Sequence, residues 1–404
     1  MKKSLLFISI EYPKKPGPGA CRNFFFCRDI ADNGWDVNVL TVKESSLQSL
    51  DDSFNSFNSK AKVHRTAARD STKIFSIFGK YPKFIEIPDR WLLWLFTAIP
   101  KGLWLIRKSQ PDIIYVSYPS YANLLVAVCL HKLTKKKLIV ELRDPFRYRY
   151  DGKNVPSHWL YRWIEKISIN NAHAVITTTK ECLTLYKQWF PSLNEKPTAC
   201  FKNGFIPNIH TQIKAHIIPS KNQKFTLLHS GSLYQIGRNP FPLLKAVQQL
   251  KNQGIINNND FELVFRGCEP WRDLVESIKQ MDISDLITFK STINYFDSIK
   301  EMYLCDSIII IQEEIFNSQI PSKLYDSIAC QKPIIALTPA NSALSTELQA
   351  HNQVLGIQSP ELIANRIKEI ISSKYTVNNK HDTKQIQRSV INNNLTDFLT
   401  KLIK

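Results

Sequence analysis

A second series of alternating strands and helices begins at Phe225-Thr226-Leu227-Leu228-His229-Ser230-Gly231-Ser232, and this series is the clearest indication of the fold. The run Phe225–Ser230 is short and is followed by a glycine, which is typical of a buried parallel strand that turns into a helix. Four similar runs follow, each separated from the next by helical spacing: Glu262–Phe265, Ile287–Lys290, Ser307–Ile311 and Pro333–Leu337. This alternation predicts a doubly wound α/β domain.

The residues before this stretch show the same alternation. Five short apolar runs are separated by helical patterns: Ser4–Ile10, Val37–Val42, Ile113–Ser117, Lys137–Glu141 and Ala174–Thr178. We therefore predict an α/β protein of two Rossmann-like domains, residues 1–205 and 225–381, with a proline-containing linker at 206–224. A last helical pattern, residues 382–404, is predicted to pack back on the first domain. Two such sheets create a cleft at the carboxyl ends of their strands, where open α/β folds bind ligands.

The composition excludes several classes of protein. Of the 404 residues 43% are hydrophobic, which rules out a disordered or collagen-like chain. No run of about 18 uncharged apolar residues occurs, so no transmembrane helix is predicted. The apolar run at Leu5–Ile10 leads into Glu11 without a small-residue cleavage site, so we expect a first strand in a cytoplasmic protein and not a signal peptide. The eight cysteines form no C-x-x-C pair, which predicts free thiols and no metal site.

Positive charge is concentrated in the first half of the chain. Residues 1–200 hold 31 Lys+Arg against 17 Asp+Glu, whereas the remainder holds 22 against 18. The stretch Lys60–Lys83 is basic, and Arg90–Lys108 combines three tryptophans with basic residues at both ends. Such a segment suits a helix in the headgroup layer of an anionic membrane, and equally an ordinary core helix with solvated ends. No zinc finger, RNP-type motif or helix-turn-helix signature occurs, so we predict no nucleic-acid partner.

Two motifs in the first half could carry chemistry. Gly17 and Gly19 follow the first strand, where they would allow close backbone approach of an anion to the next helix; a plain loop fits equally well. The segment Glu141–Pro145 follows a strand that should be central, and its charged residues must pair there with each other or with a ligand. Asp144 could accept a proton or hydrogen-bond a sugar, or it could form a structural pair with Arg143.

Strand ends in the second half carry a similar pattern. Gly231 and Ser232 follow the first strand, and Arg238 comes seven residues after Gly231, where it could neutralise a diphosphate. Arg266 and Gly267 repeat the pattern at the next strand. A plain strand-to-helix turn is the alternative at both places.

The segment whose pattern points most specifically to a ligand is Ile320–Ala329. Pro321 and Ser322 begin a predicted helix, whose first amides would favour a phosphate. Lys323 adds a positive charge in the first turn, where a cation is unfavourable unless an anion is bound. Asp326 lies on the same face and could accept hydrogen bonds from two ribose hydroxyls. An ordinary helix start is the alternative.

These motifs together resemble the family 4 glycosyltransferases of the two-domain GT-B fold, in particular those that build bacterial capsule, O-antigen or exopolysaccharide. The resemblance covers nearly the whole chain. It follows eight segments in family order: 16–19, Pro88–Trp94, Pro111–Ile114, Arg143–Pro145, Lys202–Phe205, Gly231–Tyr234, Cys305–Ser307, and Pro321–Asp326 followed by Pro333–Ile335.

The resemblance implies a nucleotide-sugar donor in the C-terminal domain and an acceptor in the N-terminal domain. It implies that Arg238 and Lys323 bind the donor diphosphate and that Asp326 replaces the family's ribose-binding Glu. The family has a second acid eight residues earlier, where this chain has Ser318. That acid normally touches the donor hexose, so the departure affects donor identity and stereochemistry.

Further positions are carried over from the same resemblance. Asn294 and Tyr295 fall in the loop that meets the nucleobase, while Gly17 and Gly19 fall in the loop that closes over the donor. The chain has no acidic D-x-D cluster, so we expect no metal or cofactor. Retention of configuration is favoured, with the leaving phosphate taking the acceptor's proton; under inversion Asp144 would be the base.

The implied activity is transfer of a hexosyl or N-acetylhexosaminyl group to a lipid-linked or saccharide acceptor in bacterial surface polysaccharide synthesis. A peripheral position at the inner face of the membrane would explain the basic, tryptophan-rich first half. Two alternatives stay open: a GT-B sugar-nucleotide epimerase, and a catalytically silent protein that binds nucleotide sugars or polysaccharide.

Overall fold

The computed structural model describes residues 2–76, 80–82, 86–145, 159–218, 224–351, 359–372 and 383–403. Lys83 of the basic stretch, residues 219–223 of the predicted linker and the predicted boundary at 381–382 lie outside the described residues. The chain divides into two compact units. The first takes the described residues up to Asn203 and those from Arg388 onward, and the second takes Gly204–Gln387.

The first unit is built on a parallel sheet. Its described strands are β1 (Ser4–Ile8), β2 (Asp36–Val42), β3 (Lys62–Thr66), β4 (Ile113–Ser117), β5 (Lys137–Leu142), β6 (Ala174–Thr177) and β7 (Thr198–Cys200). Their order is β3-β2-β1-β4-β5-β6-β7, and every pair in it is parallel. The central strands β1, β4 and β5 are almost entirely buried, as their apolar runs require when helices cover both faces.

Helices on both faces complete the first unit. They are α1 (Pro18–Asp32), α2 (Ser71–Ile74), α3 (Leu95–Ser109), α4 (Tyr121–Thr134), α5 (Trp159–Asn171), α6 (Lys180–Trp189) and α14 (Arg388–Ile403). The last of these packs on α1, where Asn392 Nδ2 donates to Asp29 Oδ2 at 2.8 Å and Leu395 and Leu399 are buried. The C-terminal segment thus belongs to the first unit, although the second unit precedes it in the chain.

The second unit repeats the plan with a smaller sheet. Its described strands are β8 (Phe225–Ser230), β9 (Phe261–Arg266), β10 (Ile287–Lys290), β11 (Ser307–Ile311) and β12 (Ile334–Leu337), in the parallel order β10-β9-β8-β11-β12. Its helices are α7 (Pro207–Ala215), α8 (Phe241–Asn252), α9 (Arg272–Gln280), α10 (Tyr295–Leu304), α11 (Lys323–Ala329), α12 (Ala343–Ala350) and α13 (Pro360–Ile371). The strand order reverses beside β8, and ligands of doubly wound sheets bind at such a point.

The predicted fold class is confirmed: each unit is a Rossmann-like doubly wound α/β domain. The segment predicted as a linker contains α7, which packs on α10 in the second unit. The edge strand β3 has no buried side chain. Its sequence accordingly lacks the continuous apolar run that predicts the other strands. Within the described ranges no helix has the length and hydropathy needed to cross a bilayer.

Candidate functional site

A cationic pocket lies at the carboxyl end of β8, in the centre of the second sheet. Gly231 follows this strand with φ +152°, a backbone conformation that a side chain would strain. Three nitrogens converge on the point where its Cβ would stand: Lys323 Nζ at 3.8 Å, His229 Nε2 at 3.9 Å and Arg238 NH1 at 4.0 Å. We call these three side chains and Gly231 the β8 pocket.

The two cations of the β8 pocket lie close to the same point, and the carboxylates of Asp326 and Glu301 act on Lys323 from beyond ion-pair distance. Among the described residues neither Lys323 nor Arg238 forms an ion pair, and Lys323 Nζ donates only to Ser230 Oγ, at 3.2 Å. Burial and the nearby Arg238 guanidinium lower the pKa of Lys323 to about 8. Two converging positive charges cost electrostatic energy, and a bound anion would remove that cost.

Arg238 is held in place by a short loop. Its NH1 donates to the Ser232 carbonyl at 2.9 Å, and its guanidinium lies 4.9 Å from the centre of the Tyr234 ring. The loop is fixed from the other side by Glu313, whose Oε2 accepts from Gly237 N at 2.7 Å and whose own N–H donates to Gly237 O at 2.9 Å. These contacts therefore hold the Arg238 guanidinium in one position.

Asp326 lies one helical turn after Lys323, in a buried hydrogen-bonded cluster. Tyr295 Oη donates to its Oδ1 at 3.0 Å, and His210 Nε2 donates to the same oxygen at 3.1 Å. Nδ1 of His210 is 3.1 Å from Tyr303 Oη. Burial, with Cys330 and Asp326 nearby, raises the pKa of Tyr303. In the described part of the chain no side chain donates to Oδ2, which leaves this oxygen for a ligand.

Three predicted donor-binding residues form hydrogen bonds within the protein. Arg266 makes a bidentate pair with Glu301, at 2.9 Å and 2.6 Å, and donates to the Ser291 carbonyl at 2.9 Å. Asn294 caps α10 by accepting from Asp297 N at 2.9 Å. Gly267, at φ +75°, donates to Lys290 O at 2.8 Å and forms the turn after β9.

The helix predicted to start at Pro321 and Ser322 begins at Lys323 and has seven residues. Pro321 and Ser322 form the turn that precedes it, in which their carbonyls accept from Leu324 N and Tyr325 N. Ser318, which stands eight residues before Asp326 where the family that the sequence resembles has an acid, is 6% exposed. The Ser318 side chain is therefore buried, and its hydroxyl cannot supply the negative charge of a carboxylate.

The glycine loop of the first unit packs against an ion pair. Arg143 pairs with Glu11 and donates to Tyr118 O at 2.5 Å, and a Cβ on Gly19 would stand 2.6 Å from Arg143 NH1. Burial by itself raises the pKa of Glu11, but Arg143 and Lys15 hold it at about 2. A side chain at position 19 would therefore require Glu11 and Arg143 to move.

The neighbouring positions Gly17 and Asp144 differ from Gly19 in their surroundings. Gly17 precedes α1 with φ +116° and has open space where its Cβ would stand. Asp144 is half-buried, and its carbonyl accepts from Tyr186 Oη at 3.4 Å.

Sequence patterns did not indicate a second charged pair, Arg22–Glu141. Arg22 on α1 is 4% exposed and donates to Glu141 Oε1 at 2.6 and 3.0 Å. It also bonds the carbonyls of Phe201 and Lys202 and the side chain of Asn203, each within 3.1 Å. This arginine fixes the Lys202-Asn203 segment that the resemblance singled out. Only the long-range pairing of α1 with β5 reveals it.

Comparisons with known proteins agree with this architecture. Residues 26–207 match the family described as Glycosyltransferase Family 4, and residues 211–390 match Glycosyl transferases group 1. The chain is a GT-B glycosyltransferase of family 4. The two matches meet between residues 207 and 211, close to the boundary between the two units. No curated protein matches the sequence significantly.

Solved structures similar to this glycosyltransferase share its fold at low sequence identity. HepE of Anabaena in complex with UDP-glucose has a TM-score of 0.66 at 14% identity, covering 98% of this chain and 99% of its own. A glycosyltransferase from Rickettsia africae has a TM-score of 0.65 at 12% identity, covering 100% and 99%. A UDP-N-acetylglucosamine 2-epimerase described as putative, from Listeria monocytogenes, has a TM-score of 0.59 at 12% identity, covering 99% and 96%.

Proposed function

We propose that this glycosyltransferase moves a hexosyl or N-acetylhexosaminyl group from a nucleotide sugar to a lipid-linked or saccharide acceptor in bacterial surface polysaccharide synthesis. The observation that carries the donor assignment is the β8 pocket, where Lys323 and Arg238 converge on Gly231 and, among the described residues, neither forms an ion pair. A diphosphate suits this pocket because it brings two or more negative charges to the two cations. Gly231 has no side chain that would keep a phosphate group away. Asp326 Oδ2 is the proposed acceptor for ribose hydroxyls.

The pocket supplies the electrostatic part of the proposed catalysis. As the bond between the anomeric carbon and the diphosphate oxygen breaks, negative charge grows on the leaving diphosphate. Lys323 and Arg238 stabilise that charge more in the transition state than in the bound substrate, and this difference is what accelerates the reaction. Both groups are already in position, so little reorganisation is needed when the charge develops.

We infer that the configuration at the anomeric carbon is retained. The acceptor oxygen then bonds to the anomeric carbon while its proton passes to the leaving diphosphate. An inverted product would require a separate base, for which Asp144 is the candidate from sequence. The anomeric proton coupling in the NMR spectrum of the product decides between the two outcomes.

A uridine nucleotide is the first donor to test, since the similar HepE structure contains UDP-glucose. An epimerase acting on a UDP sugar is the second candidate function, since an epimerase is among the similar folds. An epimerase would interconvert the sugar nucleotide with no acceptor present, whereas a transferase needs one. Incubation of the donor with and without an acceptor extract therefore distinguishes the two.

The donor site is tested by thermal unfolding with UDP, UDP-glucose, UDP-N-acetylglucosamine, GDP and GDP-mannose. A ligand at about 100 times its Kd adds about 2.7 kcal/mol of stability, which is readily measured. We expect stabilisation by one nucleotide family, its loss in Lys323→Ala, and its persistence in Lys245→Ala, which removes an exposed lysine on α8. Equal stabilisation of all three proteins would contradict the assignment.

Nucleotide affinity should depend on pH through Lys323. The pKa of its ammonium is about 8 in the free protein, and a bound diphosphate must raise it. Binding then takes up a proton above about pH 8, and the affinity for UDP-glucose falls by up to about tenfold per pH unit there. Below the pKa this dependence disappears because the lysine is already charged.

Calorimetry in buffers of different ionisation enthalpy measures the proton uptake directly. Lys323→Arg is the matched control, because a guanidinium stays charged throughout this range and should abolish the uptake. The same pH dependence in Lys323→Arg would show that another group is responsible.

A membrane-facing surface is the proposed reason for the basic first half. On α3 the side chains of Phe96 and Trp104 are 78% and 45% exposed. Lys101 and Lys108 flank the Trp104 ring, with Nζ 3.7 and 4.9 Å from its centre. Exposed aromatic groups beside cations suit the headgroup layer of an anionic bilayer.

Vesicle sedimentation tests this surface. Wild type should bind phosphatidylcholine vesicles that contain phosphatidylglycerol and not vesicles without it. A Phe96→Ala/Trp104→Ala variant should lose most of this binding, and Lys101→Ala should weaken it by about 1 kcal/mol. Ile218→Ala removes an apolar side chain that is 86% exposed in the second unit and should change nothing. Undiminished binding by the double variant would refute the α3 surface.

A further inference from the structure

His229 is a buried histidine in the β8 pocket that the diphosphate assignment leaves unused. Its side chain is packed beside the Phe265 ring, with ring centres 5.9 Å apart, and the residue is 5% exposed. Nδ1 lies 3.1 Å from the Ile309 carbonyl oxygen. Nε2 is buried and has no hydrogen-bond partner in the part of the chain that the structure describes.

The hydrogen bond to Ile309 fixes the tautomer. A carbonyl oxygen only accepts, so the Nδ1 of His229 carries the proton and Nε2 presents a lone pair. Burial and the cations Arg238 and Lys323 lower the pKa of His229 to about 3, so the ring remains neutral. Nε2 is thus a fixed acceptor 3.9 Å from the point at Gly231 on which both cations converge.

The β8 pocket is therefore complementary to a ligand that has an anionic group for the two cations and a hydrogen-bond donor for Nε2. Phosphate oxygens of a sugar diphosphate carry no proton, so they suit Lys323 and Arg238 but cannot donate to Nε2. The group opposite Nε2 must be a donor that lies next to the diphosphate. In a nucleotide sugar, hydroxyls lie on both sides of the diphosphate, and because those of the ribose are assigned to Asp326, the hydroxyls of the transferred sugar are left for Nε2. An unmade bond to a buried acceptor is costly.

We propose that His229 is a donor-binding residue whose Nε2 accepts a hydrogen bond from a hydroxyl of the transferred sugar. This inference rests on the proposed function and extends it from the diphosphate to the sugar. It makes His229 a determinant of which sugars bind, since a donor without a hydroxyl at that place leaves Nε2 unpaired.

The test compares nucleotides with and without the sugar. His229→Asn keeps an N–H near the place of Nδ1 and removes the acceptor at Nε2, whereas His229→Gln offers an oxygen near Nε2. We measure Kd for UDP, UDP-glucose and UDP-N-acetylglucosamine, and for GDP and GDP-mannose. In His229→Asn the affinity for the diphosphate should stay within about twofold, while the best sugar nucleotide should lose about tenfold. His229→Gln should recover most of that loss.

A purely structural role of His229 would weaken the diphosphate and its sugar nucleotide by the same factor, and that result overturns the inference. Unchanged affinity for every sugar nucleotide in His229→Asn overturns it as well. Neither result affects the proposed function, which fails separately if wild type binds none of the five nucleotides or if Lys323→Ala binds them as tightly as wild type. Absence of nucleotide binding by wild type overturns both proposals.

Discussion

Replacing Lys323 with alanine should lower kcat/KM for sugar transfer by about a hundred- to a thousand-fold, the range found when one preorganised donor is removed from a developing anion. The ammonium and Arg238 NH1 lie 3.8 and 4.0 Å from the same point at Gly231, so removal of the lysine leaves a single cation there for the leaving diphosphate. Arg238→Ala should have an effect of similar size. The loss should fall mainly on kcat if the lysine acts in the transition state, and mainly on KM if it only binds the donor.

The assay is transfer of radiolabelled sugar from the donor found in the thermal screen to an acceptor extract. Lys323→Arg keeps the charge in a larger, planar group and should retain part of the activity. Lys245→Ala, on the exposed side of α8, controls for the loss of one positive charge and should behave as wild type. Activity of Lys323→Ala within about threefold of wild type, well short of the loss expected for such a donor, would exclude the proposed role.

Replacing Arg22 with methionine should destabilise the first unit by about 3–5 kcal/mol, the cost of leaving a buried charge without its partner. Glu141 is 2% exposed, and once the guanidinium is gone it keeps the bond from Ser117 Oγ, at 2.7 Å, and the more distant charge of Arg143. Burial by itself raises the pKa of Glu141, but Arg22 and Arg143 hold it below its usual value. The variant also loses the bonds by which Arg22 holds the 201–203 segment.

Urea unfolding followed by tryptophan fluorescence measures this effect. Of the eight tryptophans all but Trp271 precede residue 204, so the signal reports mainly on the first unit. Lys62→Met is the matched control, because Lys62 pairs with Asp36 on the surface and such a pair contributes about 1 kcal/mol or less. A destabilisation by Arg22→Met no larger than that of Lys62→Met would show that the buried pair is not important for stability.

Most of the fold could be predicted from sequence because buried parallel strands are continuous apolar runs. The predicted bounds of Ile113–Ser117, Phe225–Ser230 and Ser307–Ile311 are those of β4, β8 and β11. The polar edge strand β3 has no such run, and the helix α7 begins within a segment whose prolines indicate a linker. Pro207 is compatible with the first helical position, so a proline there does not separate a linker from a helix start.

The cations of the site could be predicted, and their partners could not. Lys323 and Arg238 follow from a charge in an unfavourable place and from spacing after a glycine, both of which are local signals. His229 looks like an ordinary strand residue, and its meaning comes from Ile309 on the neighbouring strand and from the cations beside it. In the same way, Glu301 pairs with Arg266, which lies 35 residues away in sequence, and His210 forms a hydrogen bond with Asp326, which lies 116 residues away in sequence. Such pairings depend on the fold and leave no trace in local sequence.

The most direct test of the diphosphate site is a calorimetric comparison of UDP with uridine, and of GDP with guanosine, on wild type and Lys323→Ala. Wild type should bind one diphosphate at least about a hundredfold more tightly than its nucleoside, as expected for two charge-assisted contacts of about 1.5–3 kcal/mol each. This preference should fall about tenfold or more in Lys323→Ala. An equal preference in the two proteins would contradict the account.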